Sequence, residues 1–358
     1  MTRFLRLATV AALALSVPGL AGCESDEPPS VTGTGAPALP GGVGGNAQQE
    51  GLPSPPPPLP PNPLAGKKFY VDPANPATQQ AARWIAESRA TDAQQIRKIG
   101  DRAVAHWLTA GTNATREVDA LMTRAAAAGQ VPVLVAYNIP GRDCGSYSAG
   151  GAASPAAYKA WIRTVAAGLK GRPAVVVVEP DAVPHTVDGC GDLADERYAL
   201  LRDAVTTLKS SPNALVYLDA GHPAWVADVG RLAGALRRAG GDAADGFSLN
   251  VSNFIPTADN LAYGDRLSSA MGGKRFVVDT SRNGAGPAPG AEVNGGPSWC
   301  NPPGRKLGQP PTVDTGHPRA AALLWIKRPG ESDGACRSGE PGAGAWWPEY
   351  ALDLARRS

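Results

Sequence analysis

From Lys67 onward the chain alternates short apolar runs of strand length with amphipathic stretches of helix length, and no other feature constrains its fold as much. Strands are expected near 102–108 (RAVAHWL), 131–137 (VPVLVAY), 174–178 (AVVVV), 214–218 (ALVYL), 246–250 (GFSLN), 275–278 (RFVV) and 322–326 (ALLWI). Helices are expected between them, near 78–89, 115–128, 155–169, 193–210, 224–239 and 258–271. Strands alternating with helices imply a mostly parallel sheet, because each crossover needs a helix to carry the chain back. Runs such as Val175 to Val178 show no polar alternation, so both faces of that sheet are covered. About seven such units in roughly 290 residues suit a closed β/α barrel, with an open doubly wound sheet as the alternative.

The first 65 residues follow other rules. Arg3 and Arg6 precede an apolar run from Leu7 to Ala21, interrupted by Pro18 and Gly19, which is too short for a membrane span and reads as an export signal. It ends in Leu20-Ala21-Gly22-Cys23, which resembles the bacterial lipobox, where the cysteine becomes the lipidated N-terminus. Residues 1–22 are therefore expected to be a lipoprotein signal peptide, with plain secretion as the alternative. Residues 23–65 are mostly Pro, Gly, Ser and other small residues, including GGVGG and PSPPPPLPPNP. Such a stretch cannot bury enough apolar surface to fold, and a disordered tether is expected. Residues 66–358 remain as one folded domain.

Removing the signal takes away two arginines and no acids, leaving as many basic as acidic groups. That balance provides no electrostatic footprint for nucleic acid and no polybasic patch, so membrane attachment would rest on the lipid at Cys23 alone. Apart from Cys23 the cysteines are Cys144, Cys190, Cys300 and Cys336, an even set that fits two disulfides in an oxidising compartment, with three pairings open. No Cys-x-x-Cys and no spaced histidine pair points to a metal, and GTG and GGVGG lack the strand and helix of a phosphate cradle, so no cofactor is expected.

Polar groups follow the strands. Asn138 to Asp143 succeed the second, Glu179 and Asp181 the third, Asp219 and His222 the fourth, Asn253 the fifth and Asp279 the sixth; Lys327, Glu331 and Asp333 succeed the last. In a parallel barrel all these ends open on one face, where active sites lie. Any one acid could cap the helix after it, but this many on one rim points to chemistry. The nearest approach to a serine-hydrolase elbow, SYSAG at 146–150, lacks the first glycine. Crowded carboxylates fit glycoside hydrolysis, in which one protonated carboxyl donates to the leaving oxygen and one ionised carboxylate activates water. A neighbouring carboxylate supplies the tuning by raising its partner's pKa. Trp84, Trp107, Trp225 and Trp299 lie near strand ends or loops, where flat indoles suit the apolar faces of pyranose rings.

The segments AYNIPGRDCGSYSAGGA, VVVVEPDAVPH, YLDAGHPAW, LNVSNF, DTSRNG, WCNPPGRKLG and WIKRPGESDG, in this order from about Phe69 to the C-terminus, resemble glycoside hydrolase family 6, the β-1,4-glucan hydrolases. The resemblance implies a distorted seven-stranded parallel β/α barrel that hydrolyses with inversion. It also implies Asp181 as general acid, Asp143 as the aspartate that raises the acid's pKa, Asp333 as base, acting directly or through a water chain, and Tyr137 as the residue that distorts the sugar. Asp219, Trp225, Asn250, Trp299, Lys327 and Glu331 match substrate-contacting positions, and either Ser148 or Ala149 the serine that positions water. Cys144 would pair with Cys190, and Cys300 with Cys336. The loops after Asp143 and Asp333 look too short to roof the cleft, so internal cleavage of a β-1,4-glucan by a monomer at the cell surface is expected. An exo-acting cellobiohydrolase is the alternative, followed by a glucan-binding lipoprotein without chemistry.

Overall fold

The computed structural model describes residues 59–109 and 114–358, so the expected signal peptide, Cys23 and the tether up to residue 58 lie outside the described residues. Seven strands pair in parallel in strict chain order: β1 (His106–Leu108), β2 (Val133–Ala136), β3 (Ala174–Val178), β4 (Ala214–Asp219), β5 (Gly246–Leu249), β6 (Arg275–Asp279) and β7 (Ala320–Leu324). A doubly wound sheet would reverse its strand order at a switch point, and the sequential order excludes it. β1 and β7 form no ladder with each other among the described residues. Their ends nevertheless meet: Ala105 N donates to the Trp325 carbonyl at 2.9 Å and the Trp107 indole N–H to the Ile326 carbonyl at 2.8 Å. The sheet is thus a distorted barrel with a seam between its first and last strands.

The valine run of β3 shows why both faces had to be apolar. Val175 and Val177 point inward with Val133, Val135, Tyr217 and Val277, while Ala174, Val176 and Val178 point outward against helical residues such as Ile162 and Leu201. The outer layer comprises α1 (Pro76–Ala86), α2 (Ala90–Gly100), α3 (Ala114–Ala127), α4 (Pro155–Leu169), the one-turn α5 (Pro184–Val187), α6 (Ala194–Lys209), α7 (Val229–Arg238), α8 (Thr257–Ala270) and α9 (Pro348–Arg356). Several starts are written locally. The Asn75 side chain accepts from Thr78 N at 2.9 Å with Pro76 in the first turn, and Ser154 Oγ accepts from Ala157 N at 3.2 Å ahead of Pro155.

Four expectations shift. β1 begins at His106 and not at 102, because the backbone of Val131, beside β2, is already bonded to Lys68 and Tyr70 from the N-terminal segment. β7 ends at Leu324, because the amides of Ile326 and Lys327 turn to the Asp279 carboxylate. Residues near 62–64, expected to belong to a tether, are packed instead: Leu64 is buried in the barrel-interior cluster and the Asn62 amide bonds the Ala321 carbonyl at 2.9 Å. α7 begins at Val229, where Asp228 caps it through Arg231 N at 2.9 Å, and this leaves 222–228 as a loop that carries Trp225 to the rim.

α2 and α9 were not expected, since no strand precedes α2 and nothing in the barrel rhythm requires a helix after β7. They pack together through Ile96, Ile99, Tyr350 and Leu354, and Trp84 belongs to the same cluster. Trp84 is 1% exposed, so the expectation that it is a sugar platform is corrected: its indole is core, with the Arg89 guanidinium 4.4 Å from the ring centre.

Candidate active site

Three acids that end strands are clamps on their neighbours. Glu179, after β3, accepts from the backbone N–H groups of Asn138 and Ile139 beyond β2, at 2.9 and 3.0 Å. Asp219, ending β4, accepts from Asp181 N at 2.9 Å, Gly221 N at 3.3 Å and the Ser248 hydroxyl at 3.1 Å. Asp279, ending β6, accepts from Ser252 N, Ser281 N, Ile326 N and Lys327 N, joining the ends of β5, β6 and β7. All three are buried. The chain they hold is unusual, because Asp143, Cys144, Glu179, Asp181, Asn250 and Ser252 all have positive φ, between 47° and 70°. Non-glycine residues persist there only where surrounding bonds over-determine the backbone.

Asp181 is thereby aimed into the cleft by its own amide, which Asp219 holds from below. Its carboxyl accepts no hydrogen bond and forms no ion pair among the described residues, whereas Glu179, Asp219, Asp279 and Asp333 are hydrogen-bonded and Glu331 is ion-paired. Burial, then the charges of Asp219 and Asp143, push its pKa well above the ordinary carboxyl range, with Lys327 opposing. Asp143 is held by Ser148 N, which donates to Oδ2 at 2.6 Å, and its Oδ1 lies 3.8 Å from His185 Nε2. The Cys144–Cys190 disulfide ties this turn to the loop after α5, and Cys300–Cys336 ties the loop carrying Trp299 to the one carrying Asp333. These are the two pairings implied by the resemblance.

Asp333 is the opposite of Asp181. Its Oδ2 accepts from Arg282 Nη1 at 2.8 Å and Asn301 N at 3.0 Å, and the Lys327 ammonium stands 3.0 Å from Oδ1. Burial raises its pKa, but the Arg282 and Lys327 charges prevail and hold it down at about 2. Tyr137 is buried beside these acids, edge-on to Trp107 at 5.2 Å, with the Arg142 guanidinium 4.7 Å from its ring centre. Burial, then the Asp181 and Asp143 charges, push its hydroxyl upward, so it stays a neutral donor.

One cavity of about 1270 Å³ runs through these groups and is lined by Trp107, Tyr137, Asp143, Ser148, Asp181, Trp225, Trp299, Lys327, Glu331 and Asp333. It exceeds an ordinary small-molecule pocket and suits a polymer segment. Trp225 bonds the Asp188 carbonyl through its indole N–H at 3.3 Å, with His185 edge-on at 4.8 Å. Glu331 is ion-paired to Arg328 at 2.8 Å. Two expected substrate contacts are corrected. Asn250 is fully buried, its amide bonded to the carbonyls of Asp279 and Ile255 and its oxygen to Ile255 N, so it shapes the loop after β5. Asp219 is 1% exposed and its oxygens are taken by the clamp. Sequence reasoning left Arg282 unassigned within DTSRNG, where a charged residue beside a strand-end aspartate was the available signal.

Residues 64–358 match the sequence model of glycosyl hydrolases family 6. The chain belongs to this family. It is 45% identical over 301 residues to endoglucanase A of Cellulomonas fimi, covering 83% of this chain but 62% of that protein. It is 44% identical to endoglucanase 1 of Streptomyces halstedii, covering 80% of this chain and 88% of that one. Among solved structures, the endoglucanase Cel6 from Mycobacterium tuberculosis, in complex with a methyl-cellobiosyl-4-deoxy-4-thio-β-D-cellobioside, superposes with a TM-score of 0.77 at 45% identity, covering 83% of this chain and 99% of that one. Endoglucanase CEL6B from Humicola insolens gives 0.71 at 27% identity, covering 83% and 98%.

The clamps have a consequence for stability. Burial pushes Glu179 up to about 7 against the pull of its amide partners, and Asp219 up to about 6. A carboxyl raised on folding contributes stability that is complete below its ordinary pKa and lost as pH rises through its folded value; the depressed Asp333 contributes above its ordinary value and loses that contribution only as pH falls toward 2. Melting temperature is therefore expected to fall between about pH 5 and pH 8. In Glu179→Gln, which keeps one acceptor oxygen but cannot ionise, differential scanning calorimetry should show a shallower fall. An unchanged slope would remove Glu179 from the explanation.

Proposed function

We propose that this chain is an inverting endo-β-1,4-glucanase in which Asp181 is the general acid. The observation that carries the reading is the contrast between carboxyls. Asp181 alone is unpartnered, raised in pKa and open to a polymer-sized cleft, the state in which a carboxylic acid is protonated near neutral pH and able to donate. Asp143 fits the group whose negative charge keeps that proton on. Tyr137, Lys327, Glu331, Trp225 and Trp299 fit sugar-binding roles on the cleft wall. Asp333 fits a charge that orients water and passes a proton along a water chain. A carboxylate held at about 2 by a guanidinium and an ammonium is a poor direct base.

The endo mode is supported by relatives named endoglucanases at 41–45% identity and by the short loops after Asp143 and Asp333. Proteins named cellobiohydrolases match at 28–30%. Export is supported by the two disulfides, and a lipid on Cys23 by the lipobox-like sequence before it.

Replacing Asp181 with Ala should lower hydrolysis of unactivated glucans by about 10²-fold or more, yet spare substrates whose leaving group needs no proton; equal losses on both would end the acid assignment. On carboxymethylcellulose, viscosity should collapse while few reducing ends have appeared, and proton NMR of the first products should show α-anomers. A slow viscosity loss with cellobiose as almost the sole early product would favour the exo reading. Cys23→Ala should move the protein from the membrane fraction to the medium; unchanged fractionation would argue against the lipid anchor.

A further inference from the structure

One guanidinium outside the cleft wall holds the loop on which Trp299 stands by four carbonyls. That loop leaves a short hairpin, in which Glu292–Val293 pairs antiparallel with Gly296–Pro297, and runs through Ser298 and Trp299 to Cys300. Arg337 belongs to the loop that carries Asp333. It donates from Nε to the Val293 carbonyl at 2.8 Å, from Nη1 to the Cys300 carbonyl at 2.8 Å, and from Nη2 to the Gly296 and Pro297 carbonyls at 3.3 Å each. Nη1 also donates to Glu340 Oε1 at 3.0 Å, so all five N–H donors of the fork are spent. The bonded carbonyls of Pro297 and Cys300 bracket Trp299 in the chain. Gly296 leaves room for this grip, since an added Cβ there would stand 3.0 Å from Arg337 Cγ and Cζ.

Trp299 lines the cleft but is 43% exposed, so burial does not hold it in place. Its edge-on contact with Tyr147, which is itself 42% exposed, adds little. The Cys300–Cys336 disulfide ties the two loops at one point, whereas bonds on both sides of Trp299 set the direction of its backbone as well. We propose that Arg337 is the positioning residue of Trp299, holding the backbone around the indole so that the ring is ordered before a glucan arrives. Binding then spends nothing on ordering that loop. Lysine cannot substitute, because three donors on one nitrogen do not reproduce a planar fork that spans four carbonyls. This role rests on the reading of Trp299 as a sugar platform of an endoglucanase.

The test is a double-mutant cycle of Arg337→Lys and Trp299→Ala, read as initial rates on cellohexaose, with melting curves to verify folding. Arg337→Lys is expected to raise KM about threefold or more while kcat stays within about twofold of wild type, the signature of binding lost equally from ground and transition states. In the Trp299→Ala background the same change should add nothing to KM. An unchanged KM in Arg337→Lys overturns the role, as does an equal rise in the Trp299→Ala background, which would assign the effect to general loosening of the loops. A fall in kcat at unchanged KM would place Arg337 behind Asp333 and overturn it too. Gly296→Ala, which presses on the guanidinium without removing it, should raise KM in the same Trp299-dependent way, and it carries the cycle if Arg337→Lys does not fold. Failure of the wild type to cut cellohexaose would instead defeat the endoglucanase reading.

Discussion

The site depends on buried carboxylates that accept backbone N–H groups from the ends of adjacent strands. Glu179 reaches from β3 to the end of β2, Asp219 from β4 to Asp181, and Asp279 from β6 to the ends of β5 and β7. A sheet ladder stops where strands splay, and beyond that point nothing in regular secondary structure satisfies the next amides. Carboxyl oxygens supply the missing acceptors, so they can hold the left-handed residues clustered on this rim. Each such residue costs of the order of 1–3 kcal/mol when unsupported. The same clamps that close the barrel's rim therefore also hold the backbone of Asp181.

A single residue type has three fates here, set by its partners. Glu179, Asp219 and Asp279 are consumed by backbone. Asp333 is neutralised by two cations, and its buried pairing with Arg282 makes it a poor candidate for simple deletion, since a lone buried guanidinium is costly. Asp181 has neither kind of partner, and burial raises its pKa. Chemically identical groups in this cleft are pushed apart by their environments, whatever their number.

The seam adds a second asymmetry. Because β1 and β7 form no ladder among the described residues and meet at their ends, Trp107, Lys327 and Glu331 stand beside that junction and line the cleft together. The indole N–H of Trp107 is spent on stitching the seam, which orients its ring without using the ring face.

Much of this was readable from the chain alone. The strand and helix alternation specified a parallel barrel because period and length are local properties, and the motifs around Asp143, Asp181 and Asp333 specified the family. β3 could be read to the residue, since an unbroken valine run has no alternative conformation as favourable. Trp84, Asn250 and Asp219 could not be placed, because the same indole or carboxyl is a platform or a plug depending on what packs over it, and α2 and α9 cover Trp84 from 6 and 264 residues away. The bonds from Arg337 to the loop of Trp299 were equally hidden, since they join loops far apart in sequence. Sequence determined the seven strands of the barrel and which chemistries are present. Only the tertiary structure decided which acids are spent on backbone, which is paired and which is left free, because hydrogen bonding and burial are set by neighbours that the local pattern does not contain.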